Sequence, residues 1–186
     1  MQRRLLGHPT LILIMGVAGS GKTTIAKGLL EEICACYLDN NFIVAAFFPN
    51  TRTDPEYVEL RPRFYEILYR IAEENLRLGN SVVLDAPHIR QVQIADWRLF
   101  LERLLGRTAS ACALIRCYCS EDTLRDRLLR RGEQRDLWKL SNWEAFLLEQ
   151  PLRVPIPLDH IEINTDEPAD ENVARALRYI TAVGAG

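Results

Sequence analysis

One short segment of the sequence combines glycines with a lysine and a hydroxyl residue in a spacing suited to holding phosphate. Residues 16–23 read Gly-Val-Ala-Gly-Ser-Gly-Lys-Thr, which fits the pattern G-x-x-x-x-G-K-S/T. Glycines let the backbone bend tightly and point successive N–H groups inward at an anion. With glycine at about 7% of an average protein, a chance match in a chain of this length is roughly a one-in-a-hundred event. The segment therefore predicts a site for a nucleoside triphosphate.

The side chains of this loop have separate expected tasks. Lys22 is expected to reach the β and γ phosphates, and the hydroxyl of Thr23 to coordinate Mg²⁺. A helix that begins near Gly21 adds its positive N-terminal end to the same anion. The predicted cofactors are ATP and Mg²⁺. The loop residues predicted to bind them are Gly16, Ala18, Gly19, Ser20, Gly21, Lys22, Thr23 and Thr24.

A second metal-binding residue is predicted at the end of a later apolar run. Asp85 directly follows Val82-Val83-Leu84, which reads as a buried strand. A carboxylate at that place would lie beside Thr23 and hold the metal through a water molecule. The alternative is that Asp85 only caps a turn, and the apolar strand before it favours the metal-binding role.

Several arginines lie in and after the helix predicted to begin at Ser120. Arg127 and Arg131 are four residues apart and therefore share one face, and Gly132 then ends the helix before Arg135. A solvated charged surface is the usual explanation for such a run. Arginines next to a glycine hinge also suit the stabilisation of charge on a transferring phosphoryl group. We predict a lid at about residues 131–140, with Arg127 also contacting the nucleotide.

Short apolar runs alternate along the chain with longer stretches of helical periodicity, which is typical of an α/β domain with a parallel sheet. Ligands of such sheets bind beyond the carboxyl ends of the strands, where the candidate residues fall. The chain is expected to form one domain over residues 1–186, a three-layer sandwich with helices on both faces of the sheet. The expected strands are 11–15, 81–85, 111–117 and 158–163, and the expected helices are 21–36, 54–79, 92–105, 120–131 and one that begins at 168.

The overall composition excludes some classes of protein. The net charge of −2 and pI near 6.0 give no basic footprint, so a nucleic-acid partner is not expected. No apolar run approaches the roughly 18 residues of a membrane span. Arg3 and Arg4 before Leu11–Met15 resemble a signal peptide, but His8 and Pro9 interrupt the run and it leads directly into the phosphate loop. We therefore expect a cytoplasmic protein without a membrane partner.

Taken together, four segments resemble small P-loop kinases of the gluconate-kinase-like, shikimate-kinase-like and chloramphenicol-phosphotransferase-like group. They are the phosphate loop, the segment Tyr37–Asn41, the strand V-V-L-D, and Arg127-Leu128-x-x-Arg131-Gly132. The resemblance covers most of the chain in order. It implies a P-loop NTPase fold with a five-stranded parallel sheet, ATP·Mg as phosphoryl donor, catalytic Lys22, and a short lid with Arg127 and Arg131.

The resemblance also implies a substrate-handling carboxylate at the end of the second strand. The sugar-acid and shikimate kinases have a D-x-D-like segment there, and this chain has Asp39-Asn40-Asn41. Asp39 would then position the acceptor hydroxyl and take its proton, whereas an amide such as Asn41 can orient a hydroxyl but cannot accept a proton. Either Asp39 serves alone, or transfer needs little base because its transition state is loose, or kinase activity has been lost.

The expected function is transfer of the γ-phosphoryl group of ATP to a hydroxyl of a small molecule. One alternative is a regulatory or accessory protein that hydrolyses ATP slowly, and another is a polynucleotide-end kinase. The sequence leaves the acceptor, the preferred base and the oligomeric state open. Residues that suit contacts with an anionic or polyhydroxylated acceptor, and equally a place on the surface, are Asn41, Arg52, Arg61, His88 and Arg135.

Overall fold

The computed structural model describes residues 3–49 and 54–184. Five parallel strands form one sheet in the order β2-β3-β1-β4-β5. The strands are β1 (Thr10–Met15), β2 (Cys36–Asp39), β3 (Val82–Asp85), β4 (Ala111–Tyr118) and β5 (Ile161–Asn164). The helices are α1 (Lys22–Glu32), α2 (Asn40–Phe47), α3 (Pro55–Arg77), α4 (Ala95–Thr108), α5 (Glu121–Arg131), α6 (Leu137–Ser141), α7 (Trp143–Glu149) and α8 (Ala169–Val183).

The central strand β1 is buried along its whole length because helices cover both faces of the sheet. Leu11 and Leu13 pack in a cluster with side chains of α3 and α4. Ile12 and Ile14 point to the other face and pack with side chains of α1 and α8. Strand residues alternate between faces, so one apolar run supplies both cores. The three-layer α/β sandwich with a five-stranded parallel sheet is confirmed.

Two helices begin and end at the residues that the sequence marks. The Asp54 side chain accepts hydrogen bonds from the first amides of α3, and Pro55 occupies the first helical position. Ser120 caps α5 in the same way, and Gly132 ends it with a left-handed φ of 61°. The arginines of α5 are thereby held in one helix up to Arg131.

Other predicted boundaries were wrong. Helix α1 ends at Glu32 rather than near residue 36, because Cys36 already belongs to β2. Helix α4 continues through Gly106 to Thr108, and β5 begins at Ile161 rather than at 158. The apolar segment after Asp39 forms helix α2. In the described residues, none of the helices is long and apolar enough to cross a membrane.

Candidate active site

The phosphate loop joins the end of β1 to the start of α1 in a conformation that needs glycine. Gly16, Gly19 and Gly21 have φ values of 147°, 85° and 84°, which L side chains rarely adopt. A Cβ at Gly21 would also lie 2.9 Å from the side chain of Thr165. Helix α1 starts at Lys22 with no side-chain cap, so its first amides remain available to an anion.

Lys22 folds back over the loop in this structure. Its Nζ donates a 2.9 Å hydrogen bond to the carbonyl oxygen of Val17. Burial lowers the pKa of Lys22, and the nearby carboxylate of Asp85 partly offsets that effect. A phosphate group would replace a single neutral carbonyl with a charged partner for this half-buried ammonium group.

Thr23 and Asp85 meet at the carboxyl ends of β1 and β3. The Thr23 hydroxyl donates a 2.6 Å hydrogen bond to Oδ2 of Asp85, which is 1% exposed. The parallel register places Asp39 beside Asp85 at the ends of β2 and β3. The hydroxyl of Tyr37 lies 3.3 Å from Oδ2 of Asp39 and 3.3 Å from Oδ2 of Asp85. One phenol therefore bridges the two carboxylates.

Asp39 also holds the start of α2. Its Oδ1 accepts hydrogen bonds from the backbone N–H of Asn41 at 2.8 Å and from the side-chain amide of Asn41 at 2.9 Å. Burial raises the pKa of Asp39, and the hydrogen bonds from Asn41 partly offset the shift. Burial and the two nearby carboxylates raise the pKa of the Tyr37 phenol as well, so its hydroxyl stays a donor.

Arg127 ties the phosphate loop to the loop after β5. Its guanidinium donates to the hydroxyl of Thr165 at 2.8 Å and to the Thr165 carbonyl at 2.6 Å. The same hydroxyl donates to the carbonyl oxygen of Ser20 at 3.0 Å. These contacts hold Arg127 beside the end of β5, whereas Asp39 ends β2 at the opposite edge of the sheet.

The segment after α5 is built around a fully buried carboxylate. Asp136 is 0% exposed and accepts hydrogen bonds from Arg131 and Lys139. Arg135 turns the other way and donates a 2.8 Å hydrogen bond to the side-chain oxygen of Asn41. The predicted lid arginines thus contact two different partners in this conformation.

These elements surround one cavity of about 700 Å³. A smaller chamber of about 300 Å³ adjoins it, and Asn40, Asn41, Tyr57 and Arg135 line both. Of the predicted residues, those that line the larger cavity are Ala18, Gly19, Gly21, Lys22, Thr23, Thr24, Asn41, Arg61, Asp85, Arg127, Arg131 and Arg135.

His88 corrects one expectation, because it lies in the core rather than on the cavity wall. It is 0% exposed, and its Nε2 lies 2.7 Å from the Tyr69 hydroxyl. Its Nδ1 lies 3.1 Å from the carbonyl oxygen of Ala86. Burial lowers its pKa to about 4. The prediction that His88 contacts an acceptor directly is therefore wrong, since packed side chains separate the ring from solvent.

Arg52, another predicted acceptor contact, lies outside the described residues.

Sequence reasoning missed several side chains that the structure brings to the site. Tyr37 carried a detectable signal, because residues two apart in a strand share a face and it precedes Asp39 by two. The remaining missed residues are Tyr57, Arg90, Asp136 and Lys139.

The residues present fit ATP and a divalent metal. The glycines hold the loop at positive φ angles, and Ser20 Oγ is buried without a hydrogen-bond partner among the described residues. Thr23 and Asp85 offer the hydroxyl and carboxylate oxygens that Mg²⁺ prefers. Lys22 and the amides at the start of α1 would hold the phosphates.

Comparisons with known proteins agree with this geometry. A kinase candidate from Chloroflexus aurantiacus j-10-fl superposes with a TM-score of 0.71 at 20% identity, covering 92% of this chain and 98% of that one. A sugar kinase from Janibacter sp. HTCC2649 superposes with a TM-score of 0.70 at 18% identity, covering 95% and 97%. Kti12 of Chaetomium thermophilum, solved with ADP-AlF3, superposes with a TM-score of 0.66 at 18% identity, covering 95% and 100%.

At these identities the superpositions show a shared fold. No functionally curated protein sequence matches the chain significantly. The model of the AAA domain family matches residues 11–148, from β1 through α7. That range includes the phosphate loop, both strand-end aspartates and the arginines of α5. The chain therefore belongs to the AAA domain family and has the fold of the small P-loop kinases.

Proposed function

We propose that this protein is an ATP- and Mg²⁺-dependent phosphotransferase that moves the γ-phosphoryl group to a hydroxyl of a small molecule. One observation carries the proposal. The pair Thr23–Asp85, suited to a metal, and the carboxylate of Asp39, suited to an acceptor hydroxyl, meet at the ends of neighbouring strands.

The cationic residues have distinct roles in this proposal. Lys22 leaves the Val17 carbonyl and neutralises the β and γ phosphates. Arg131 lies on the cavity wall and stabilises charge on the transferring group, while Arg127 anchors the nucleotide side through Thr165. Bound Mg²⁺ would supply charge neutralisation at the phosphate oxygens, held by Thr23 and Asp85.

Asp39 orients the acceptor and receives its proton. As the bond from the acceptor oxygen to the γ-phosphorus forms and the bond to the β-phosphate oxygen breaks, the hydroxyl proton passes to a carboxylate oxygen of Asp39. A carboxylate whose pKa is raised by burial is a better proton acceptor than an exposed one. Asn41 keeps the Asp39 side chain in place and does not compete for the proton.

A second candidate is an accessory ATPase with little kinase activity. Asn41 supports it, because the amide replaces a carboxylate at the acceptor side and engages Arg135. The structural similarity to Kti12 supports the same fold only. A polynucleotide-end kinase is less favoured, since the cationic side chains line a cavity of about 700 Å³ in a chain with a net charge of −2.

The test is ADP release from ATP·Mg in a coupled assay, with and without a panel of sugar acids, nucleosides, antibiotics and DNA ends. The kinase proposal expects strong stimulation by one acceptor class. Tight ATP binding with no stimulated turnover across the panel would favour the accessory ATPase instead. Stimulation by DNA ends alone would favour the polynucleotide-end kinase.

A further inference from the structure

We infer that Asn41 is a positioning residue that joins the acceptor side of the cavity to the segment after α5, because its side-chain amide binds Asp39 and Arg135 at the same time. This inference rests on the proposed phosphotransferase function, in which Asp39 receives the proton of the acceptor hydroxyl. Through Asn41, the direction of the Asp39 carboxylate depends on where the segment after α5 lies.

The amide of Asn41 uses its two ends on two different partners. Its nitrogen donates a 2.9 Å hydrogen bond to Oδ1 of Asp39, and its oxygen accepts a 2.8 Å hydrogen bond from Arg135. The partners fix this orientation, since an ionised carboxylate cannot donate and a guanidinium cannot accept. The amide therefore links α2 directly to a residue that lies 94 positions later in the chain.

Charged side chains at position 41 would lose one of these two contacts. A carboxylate would accept from Arg135, but it would place a second negative charge against Oδ1 of Asp39. A cationic side chain would donate to Asp39, but it would repel Arg135. An amide is neutral and carries a donor and an acceptor on one rigid group, so it satisfies both neighbours without adding charge.

On the acceptor side, the link restricts rotation of the Asp39 carboxylate. Oδ1 accepts from the backbone N–H of Asn41 at 2.8 Å as well as from the amide, and Oδ2 lies 3.3 Å from the Tyr37 hydroxyl. The backbone hydrogen bond alone would let the carboxylate turn about Oδ1, and the amide opposes that rotation. Asp39 is 7% exposed, so water has little access to replace the amide. A base held in one direction is ready to receive a proton.

On the opposite side, the link leads to the arginine proposed to stabilise the transferring group. The carbonyl oxygen of Arg135 accepts a 3.1 Å hydrogen bond from Nζ of Lys139, which also binds the buried carboxylate of Asp136. Asp136 in turn accepts a 2.8 Å hydrogen bond from Arg131. A series of hydrogen bonds thus joins Asp39 to Arg131 through the segment after α5.

The contact between Asn41 and Arg135 lies where the two chambers meet, since both residues line both spaces. The Arg135 side chain is 20% exposed, and it also lies 3.6 Å from Glu133 within its own segment. The ion pair with Glu133 does not reach α2, whereas the hydrogen bond to Asn41 does. Loss of that hydrogen bond should therefore loosen the segment.

The first experiment needs no acceptor. Hydrogen exchange of the backbone amides of residues 132–141 is followed by mass spectrometry in the nucleotide-free parent protein and in Asn41→Ala, Asn41→Asp and Arg135→Gln. We expect exchange to be about fivefold or more faster in Asn41→Ala and Arg135→Gln, the loss of a charge-assisted hydrogen bond. Asn41→Asp should exchange no faster than the parent, because a carboxylate still accepts from Arg135.

Arg130→Gln is the matched control. Arg130 lies on α5 next to this segment, is 78% exposed and pairs with Asp126, so its loss should leave the exchange unchanged. Faster exchange in Asn41→Ala and Arg135→Gln with an unchanged control supports the link. Parent-like exchange in both variants would overturn it.

The second experiment asks whether the link acts on Asp39. kcat and KM are measured with the member of the acceptor panel that stimulates ADP release most. We expect Asn41→Ala, Asn41→Asp and Arg135→Gln each to lower kcat about tenfold or more, with the KM for ATP unchanged because the link lies on the acceptor side. Asn41→Ala combined with Arg135→Gln should lower kcat no more than the larger single effect, since both changes break one link.

The outcomes separate the link from the proposed function. Parent-like kcat in Asn41→Asp would contradict the inference, because that variant keeps the contact with Arg135 and loses the donor to Asp39. Single effects that multiply in the double variant would contradict it as well, because Asn41 and Arg135 would then act independently. If no member of the panel stimulates turnover, the kinase proposal fails, and the exchange experiment still decides whether Asn41 holds the segment.

Discussion

Asp39 shows how one side chain can combine a structural task with a chemical one. Its Oδ1 caps α2 through the N–H of Asn41, and its Oδ2 lies at the Tyr37 hydroxyl that also contacts Asp85. An amide oxygen caps a helix about as well as a carboxylate oxygen, but it cannot accept a proton. The two tasks can therefore be separated by one substitution.

Replacing Asp39 by Asn should lower kcat by about 100-fold or more, the usual contribution of a general base, while the KM for ATP changes little. The melting temperature should stay close to that of the parent protein because the cap is retained. Steady-state kinetics with the best acceptor and a thermal melt provide the measurements. Normal turnover in this variant would remove Asp39 from the mechanism.

At the scale of single residues, the buried His88 is expected to make the stability of the protein depend on pH. Nδ1 faces a carbonyl, which can only accept, so Nδ1 carries the hydrogen and Nε2 accepts from the Tyr69 hydroxyl. The neutral ring is thus fully satisfied, and burial lowers its pKa from 6.5 to about 4. Because the unfolded chain binds a proton first, this contribution to stability is complete above pH 6.5 and is lost as the pH falls towards 4.

The corresponding loss is about 3 kcal/mol of unfolding free energy over that pH range. His88→Asn should remove this part of the pH dependence, since Asn does not titrate and tolerates the left-handed φ of 52° found at this position. Urea unfolding of both proteins at several pH values would measure it. Equal pH dependences would mean that the ring is protonated in the folded state.

At the scale of elements, the segment after α5 combines apolar packing with a buried cluster of charges. Trp138 and Leu140 pack against the hydrophobic cluster that includes Leu128 of α5. Arg131 and Lys139 both converge on Asp136, and their side chains are 33% and 8% exposed. Removing the carboxylate would leave the Lys139 ammonium group buried without this partner, which is the costly way to break a buried pair.

Asp136→Asn should therefore lower the unfolding free energy by about 3 kcal/mol. Asp126→Asn is the matched control: it breaks the exposed pair with Arg130 on α5 and should cost less than about 1 kcal/mol. Denaturant unfolding would compare the two. Adding Lys139→Met to Asp136→Asn should recover part of the loss, and an Asp136→Asn variant as stable as the control would show that the segment rehydrates freely.

How well a feature could be predicted from the sequence depends on how far apart its interacting residues lie along the chain. The phosphate loop and the Ser120 and Asp54 caps depend on contiguous residues, so pattern and composition were enough. The burial of His88 depends on Tyr69 of α3 and Trp97 of α4, which are distant from it in sequence. In the sequence alone, a polar residue soon after a strand-end Asp resembles a ligand contact. Gly106 continues α4 although glycine favours helix ends, because packing of the preceding turns outweighs its propensity cost of about 1 kcal/mol.

At the scale of the whole molecule, the cavity exists only when the chain is folded. Its walls come from the phosphate loop, α2, α3, the loop after β3, and the α5–α7 region, which are far apart in sequence. The two cores that hold these walls share the strand β1. A ligand of this cavity should therefore stabilise the fold as one unit.

ATP·Mg at about 100 times its Kd should raise the unfolding free energy by about 2.7 kcal/mol, because it binds the folded chain alone. Lys22→Ala should abolish this increase while leaving the nucleotide-free protein about as stable, since the half-buried ammonium group has only the Val17 carbonyl as its hydrogen-bond partner in the described structure. Lys27→Ala, an exposed change on the same helix, should keep the full increase. Urea titrations with and without nucleotide measure all three, and an undiminished increase in Lys22→Ala would refute the predicted contact between Lys22 and the phosphates.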